Sequence, residues 1–142
     1  MIPKKGHRAL RRGRASIPGQ YYFLTFNTQN RNPYFLELEM ARSASCVLHG
    51  DSSILSWVVM PDHIHLVIIL PDTTLGRYIG NLKRNIAHSC RFRIKWEPNF
   101  YDQMIRDEEH LKEVARYLVL NPVRALLVPS ARLYPYWNAI WL

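Results

Sequence analysis

The sequence predicts an α+β domain built on one antiparallel sheet, and three observations predict it. Residues 54–60 and 63–70 are apolar runs rich in Val, Ile and Leu, joined by Pro61-Asp62. Proline presets φ and aspartate bonds back to the following amides, so the pair is a turn and the runs form a hairpin. Residues 21–28, YYFLTFNT, are aromatic and β-branched and read as a further strand. Segments with apolar residues at helical spacing precede and follow the hairpin. The resulting order, β-α-β-β-α-β with a helix behind it, is the split βαβ or ferredoxin-like pattern. The first strand and the His-bearing strand should lie at the centre. Helices should cover one face, and an added C-terminal helix should carry Tyr117.

Each element has its own warrant. Residues 1–17 form a basic arm without apolar period, holding Lys4, Lys5, His7, Arg8, Arg11, Arg12 and Arg14. Residues 18–142 are the domain. After the first strand, Asn30-Arg31-Asn32-Pro33 is a loop. Leu36, Met40, Ala44, Val47 and Leu48 space a helix over 36–49, which Gly50-Asp51 ends. Pro71 to Thr74 reads as a helix start with Asp72 or Thr73 as N-cap. Leu75, Ile79, Leu82 and Ile86 then line one side of a helix over 75–93. Arg77, Lys83, Arg84, His88, Arg91 and Arg93 give that helix a basic set. Residues 96–105 are partly extended, with a short strand at Phe100-Tyr101. Residues 107–120 form a third helix with Leu111, Val114, Ala115 and Leu118 inward. The tail 133–142, LYPYWNAIWL, is too apolar to leave in water and should pack on the body.

Composition narrows the function. At 142 residues the chain is one domain by length, and its hydrophobic fraction of 48% is that of a globular protein. The net charge of +8 favours an anionic partner, nucleic acid before a membrane surface. No apolar run reaches the roughly 18–20 residues of a membrane span, and no apolar segment follows the basic N-terminus as in a secretory signal. Two cysteines are not a disulfide framework. The expectation is a reduced, cytoplasmic protein.

The chemistry gathers around His63 and His65. Side chains alternate along a strand, so both imidazoles point to one face, spaced to bind one cation or one phosphate. Each costs free energy to bury unless its nitrogens find partners. Tyr117 and Asn121 lie four apart, one helical turn on the same face. A phenol can attack phosphorus, and an amide oxygen suits a hard cation. A divalent metal on His63, His65 and Asn121 would withdraw charge from a phosphate placed near Tyr117. A tyrosine beside core residues more often packs than reacts, and Asn121 before Pro122 is also a natural helix stop. Spacing alone therefore leaves both readings open. Arg124 can reach the same phosphate. His110 shares the helix face of Tyr117, as a proton acceptor or a surface histidine.

These residues carry a resemblance. WVVMPDHIHLVIILP resembles the His-hydrophobic-His (HUH) motif of single-tyrosine transposases. FYDQMIRDEEHL and YLVLNPVRALLV are similar to the C-terminal part of REP-associated tyrosine transposases, and PGQYYFLTFNTQNRNPYF to their first strand and loop. The match covers roughly residues 18–142. The resemblance implies the ferredoxin-like fold, Mg²⁺ or Mn²⁺ on His63 and His65, and Tyr117 as nucleophile. It implies cleavage of single-stranded DNA at hairpin-forming palindromic repeats through a 5′-phosphotyrosine link. Asn121 stands where related mobile-element enzymes carry a glutamine ligand. The run also departs from the family in having Leu126 where a glycine is common. Mobile relatives act as dimers that exchange tyrosine helices and the REP-associated branch as monomers, so the chain is expected to be a monomer or a homodimer, nucleoid-associated in the cytoplasm. DNA contacts are expected from Lys4, Lys5, Arg8, Arg11, Arg12, Arg14, Arg77, Lys83, Arg84, Arg91, Arg93 and Arg124, since phosphate contacts dominate affinity. The alternative is a catalytically silent nucleic-acid-binding module of the same fold. An RNA-recognition domain is disfavoured because its aromatic strand motif is absent and histidines stand there instead.

Overall fold

The computed structural model describes residues 16–141. Its elements are β1 (Tyr21–Asn27), α1 (Leu38–His49), β2 (Ile54–Met60), β3 (His63–Ile69), α2 (Leu75–Ser89), β4 (Tyr101–Ile105), α3 (Glu108–Val119), the single turn α4 (Asn121–Arg124) and β5 (Trp137–Ala139). The sheet order is β4-β1-β3-β2-β5, with every pair antiparallel. The split βαβ pattern and the central β1–β3 pair are as the sequence predicts. The fifth strand is an addition. The aromatic tail returns along β2, where the Tyr134 hydroxyl donates to the Val59 carbonyl and the Val59 amide donates to the Tyr136 carbonyl at 2.9 Å.

Register divides the side chains between two layers. Tyr22, Leu24 and Phe26 of β1 and Ile64, Leu66 and Ile68 of β3 are buried against α1 and α2, through Met40, Ala44 and Leu48 and through Ile79, Leu82 and Ile86. Phe23, Val58, Met60 and Val67 point to the opposite face, where α3 packs with Leu111, Val114 and Leu118. The antiparallel pairs Thr25↔His65 and Asn27↔His63 put both histidines on that second face. α3 is therefore the added helix, and among the described residues it is the long helix on the histidine side.

Helix ends follow side-chain chemistry, with corrections to two of the predicted boundaries. The N-cap of α2 is Thr74, not Asp72 or Thr73; its hydroxyl accepts from the Arg77 amide at 3.2 Å. Asp107 caps α3 by accepting from the His110 amide at 2.8 Å. α2 stops at Ser89, so Arg91 and Arg93 lie beyond it, in a turn where Arg91 and Phe92 take φ of 57° and 59°. After α4, the Leu127 amide bonds to the Pro122 carbonyl and the Leu126 amide to that of Val123, a Schellman closure. Its left-handed position is Leu126, at φ 62°. Among the described residues no helix is long and apolar enough to cross a membrane.

Candidate functional site

The two histidines stand side by side with ring centroids 4.7 Å apart, nearly perpendicular. Each is held through Nδ1. His63 Nδ1 lies 2.7 Å from Asp62 Oδ1. A carboxylate only accepts, so Nδ1 carries the proton and Nε2 keeps its lone pair. Asp62 is itself gripped by Arg31, whose Nε donates to Oδ2 at 3.1 Å. His65 Nδ1 lies 2.7 Å from Thr25 Oγ1, and its ring stacks on Phe23 at 5.4 Å. Both Nδ1 atoms are engaged; the Nε2 lone pair of His65 is open to a ligand in the tautomer in which Nδ1 donates to the Thr25 hydroxyl. Metal-binding imidazoles are oriented in this way, by an acceptor on the other nitrogen.

Electrostatics keeps the pair neutral. Burial pushes the His65 imidazole well below its ordinary range, and the charges of His63, Arg124 and Arg31 push it further the same way. Burial also lowers His63, partly offset by Asp62. Burial raises the Asp62 carboxyl, but hydrogen bonds from His63 and Arg31 outweigh that and hold it low. Neutral rings are the form that can bind a cation.

Tyr117 is half-buried on the flank of α3, beside the buried stripe of Leu111, Val114, Ala115 and Leu118. Arg124 folds back from α4. Its Nη2 donates to the Tyr117 carbonyl, and its guanidinium carbon lies 3.8 Å from the ring centroid. The positive charge of Arg124 also lowers the His65 imidazole, after burial and His63. Asn121 opens α4 after Leu120, half-buried and one turn beyond Tyr117. The chain stays in right-handed helical conformation through Leu120, which preserves the four-residue spacing. His110 is half-buried in the first turn of α3.

The basic residues divide. Arg77 and Arg84 are exposed on α2 and Arg91 and Arg93 in the turn after it, in the layer across the sheet from the histidines. Arg93 pairs with Glu37 at 3.4 Å, and Arg84 donates to Asn81 at 2.9 Å. The Lys83 ammonium donates to the carbonyls of Glu97 at 2.8 Å and Asn99 at 3.2 Å, tying the 95–100 loop to α2. Arg124 alone of the described set is on the histidine side. Lys4, Lys5, Arg8, Arg11, Arg12 and Arg14 lie outside the described residues. Ser16, at the end of the arm, already docks: its hydroxyl accepts from the Leu75 amide at 2.8 Å.

Arg31 and Thr25 were not singled out from sequence. Arg31 and its neighbour Asn30 adopt φ near 55°, which a non-glycine residue rarely does. The Asn-Arg-Asn-Pro run read as a loop held that signal, since asparagine tolerates the left-handed region. Thr25 is found only by pairing β1 against β3. Among the described residues no three His, Cys, Asp or Glu side chains gather as a metal site. The donor set is the two imidazoles, with Asn121 an amide on a neighbouring element.

No family model matches the chain. It is 29% identical to the REP-associated tyrosine transposase of Escherichia coli K12, over 84% of this chain and 76% of that protein. It is also 29% identical to a Haemophilus influenzae protein provisionally given the same name, over 83% and 78%. A solved REP-associated tyrosine transposase bound to a REP hairpin superposes with TM-score 0.71 at 28% identity, over 87% of this chain and 79% of that one. A Deinococcus radiodurans protein provisionally described as a transposase shares the fold, with TM-score 0.53 at 17% identity. In sequence and in fold, the chain resembles the REP-associated tyrosine transposases.

Proposed function

We propose that the chain is a metal-dependent single-stranded DNA endonuclease and transesterase. It would act on hairpin-forming palindromic repeats in the cytoplasm. The observation that carries this reading is the pair of neutral imidazoles, each oriented through Nδ1, on the sheet face that also receives the Tyr117 helix. The donor chemistry fits a divalent ion on the Nε2 atoms of His63 and His65, with the Asn121 amide oxygen as third ligand. Nitrogen donors favour Mn²⁺ over the harder Mg²⁺. Bound there, the ion supplies charge withdrawal from the scissile phosphate.

The remaining steps belong to the chain's own groups. Tyr117 Oη attacks phosphorus; the Oη–P bond forms, the P–O3′ bond breaks, and the phenolic proton passes through solvent to the departing 3′ oxygen. The product is a 5′-phosphotyrosine link with a free 3′-OH. Arg124 holds the ring by stacking and adds a positive charge beside the phosphate. Arg31 fixes Asp62, which fixes the His63 tautomer. Because α3 rests on the histidine face of its own chain, one copy holds every proposed group, which supports action as a monomer.

The test is incubation with labelled, hairpin-bearing single strands from the host genome, with and without Mn²⁺ or Mg²⁺. A covalent protein–DNA band on a denaturing gel is expected only with metal. Its absence with every hairpin strand tried, in the presence of either ion, overturns the reading in favour of a silent binding module.

A further inference from the structure

Arg31 meets the histidine pair from the loop after β1, with a side chain only partly engaged. That loop turns through two consecutive left-handed residues, Asn30 and Arg31, at φ 55° and 54°. It is pinned across the turn, where the Arg31 and Asn32 amides donate to the carbonyls of Thr28 and Gln29, each at 3.1 Å. The guanidinium lies against the hairpin tip. Its Nε donates to Asp62 Oδ2 at 3.1 Å, and its Nη2 is 3.4 Å from His63 Nδ1. The second contact is not a hydrogen bond, because that Nδ1 already carries the proton it gives to Asp62 Oδ1. Among the described residues the Nη hydrogens therefore have no acceptor, and the side chain is 51% exposed. An exposed ion pair adds little to stability. It does not account for two left-handed residues in a row, and backbone strain of this kind clusters at binding sites.

We propose that the Arg31 Nη atoms hold a backbone phosphate of the bound strand, next to the phosphate at His63 and His65. The inference rests on the reading that the scissile phosphate lies at those histidines. The Nη fork stands at the Nδ1 edge of the His63 ring, whereas Nε2 is the nitrogen that keeps its lone pair. The ring separates the two groups, so the phosphate on Arg31 is a neighbouring one. Tyr117 comes to the histidines on α3, which packs over β2, β3 and β5. Arg31 comes from the end of β1, on the other side of β3 from β2. A strand that crosses the face from α3 toward the β1 loop puts one phosphate at the histidines and the next at Arg31. A guanidinium whose Nε is spent on a carboxylate still offers two coplanar Nη donors, which match a pair of phosphate oxygens. Both oxygens of Asp62 are engaged, Oδ1 by His63 and Oδ2 by Arg31, so the carboxylate serves as the anchor of the fork. With the fork anchored, the strand has little ordering left to impose.

The experiment is a methylphosphonate scan. Each phosphate in the single-stranded flank of a hairpin is made neutral in turn, and affinity relative to the unmodified strand is read by fluorescence anisotropy in EDTA. Without metal, binding is measured apart from cleavage. Native protein should lose about 10-fold at a flank phosphate beside the cleaved one. Arg31→Gln should lose nothing at that position and keep the native sensitivity at the others. Its slope of log affinity against log salt should be shallower by roughly 0.7. Arg31→Lys should regain part of the sensitivity, since it returns the charge without the fork. An Arg31→Gln profile identical to the native one assigns Arg31 to Asp62 alone and overturns the proposal. A native scan that is flat over the flank, the cleaved phosphate aside, overturns it without any variant. The two readings separate cleanly. A flank phosphate that depends on Arg31, with no covalent adduct in Mn²⁺ or Mg²⁺, keeps this contact and removes the cleavage reading. An adduct with no Arg31-dependent phosphate does the reverse.

Discussion

The two faces of the sheet are built from alternate residues of the same strands, yet they serve different ends. Toward α1 and α2 the strands present mostly apolar groups, with Asp102 of β4 a buried carboxylate among them, and two helices seal them: Leu24, Phe26, Ile64, Leu66 and Ile68 are fully buried. Toward α3 the same strands present apolar groups at one end and polar ones at the other. Phe23 and Val67 pack under the helix end of that face, while Thr25, Asn27, His63 and His65 follow two and four residues along. One face holds the fold together; the other uses the rigidity so obtained to hold imidazoles in fixed orientation. A site on strands inherits the precision of the strands.

The comparison can be broken most sharply at Tyr117. Tyr117→Phe keeps the ring under Arg124 and deletes only the nucleophilic oxygen. Adduct formation should vanish, while hairpin affinity and thermal midpoint stay within error of the native protein. An adduct formed by this variant, or lost instead on changing Tyr101, Tyr134 or Tyr136 to Phe, would assign the chemistry elsewhere. His63→Ala and His65→Ala should likewise abolish cleavage and leave most DNA affinity, because affinity is spread over many phosphate contacts. Equal losses of binding and cleavage would contradict that division.

The opposite face should respond in the opposite way. Ile86 is fully buried between α2 and the sheet. Ile86→Ala should cost about 2–5 kcal/mol, read from urea denaturation. Cleavage per folded molecule should not change. A cleavage defect larger than the folded fraction explains would mean that the two faces are coupled.

Acid should act on the histidine face first. The folded-state pKa values of His63 and His65 lie below their unfolded values. Below about pH 6.5 the unfolded chain therefore binds more protons than the folded one. Stability of metal-free protein should be level at neutral pH and fall as pH drops through that value. Replacing His65 by Gln should flatten the fall. An acid limb unchanged in that variant would assign it to other groups.

The smallest expected effect lies away from both faces. Leu126 is 91% exposed at φ 62°, so its side chain gains no packing to offset the left-handed backbone. Leu126→Gly should raise stability by about 0.5–1 kcal/mol, the balance of relieved strain and a looser unfolded chain. A drop in thermal midpoint would show that the leucine has a contact worth more than the strain.

Much of this was legible in the residues. Hydrophobic alternation fixes which strand residues share a face, so the common orientation of His63 and His65 followed from spacing. The helix period placed Tyr117 beside, and not within, the stripe of Leu111, Val114 and Leu118. What spacing cannot give is pairing between distant segments. Thr25 under His65 and Arg31 behind Asp62 depend on β1 lying against β3, which no local pattern specifies. The basic set on α2 has the same limit. Its helix was correct, but a one-dimensional pattern does not say which side of the sheet a helix covers. The fifth strand escaped because three residues, Trp137–Ala139, are too few to show alternation.

One feature of the hairpin tip bears on how the site meets its substrate. The carbonyl of Asp62 accepts from the Thr28 amide at 3.0 Å and from its hydroxyl at 3.1 Å, and the carbonyl of Pro61 accepts from the Phe35 amide at 3.0 Å. A free two-residue turn would sample many arrangements of the Asp62 carboxylate. Here the loop after β1 clasps it, and Thr28 is itself fully buried. The conformational entropy of the tip is thus lost once, when the chain folds. An incoming ion or strand then meets an imidazole already turned toward it, and none of its binding free energy goes into ordering the protein.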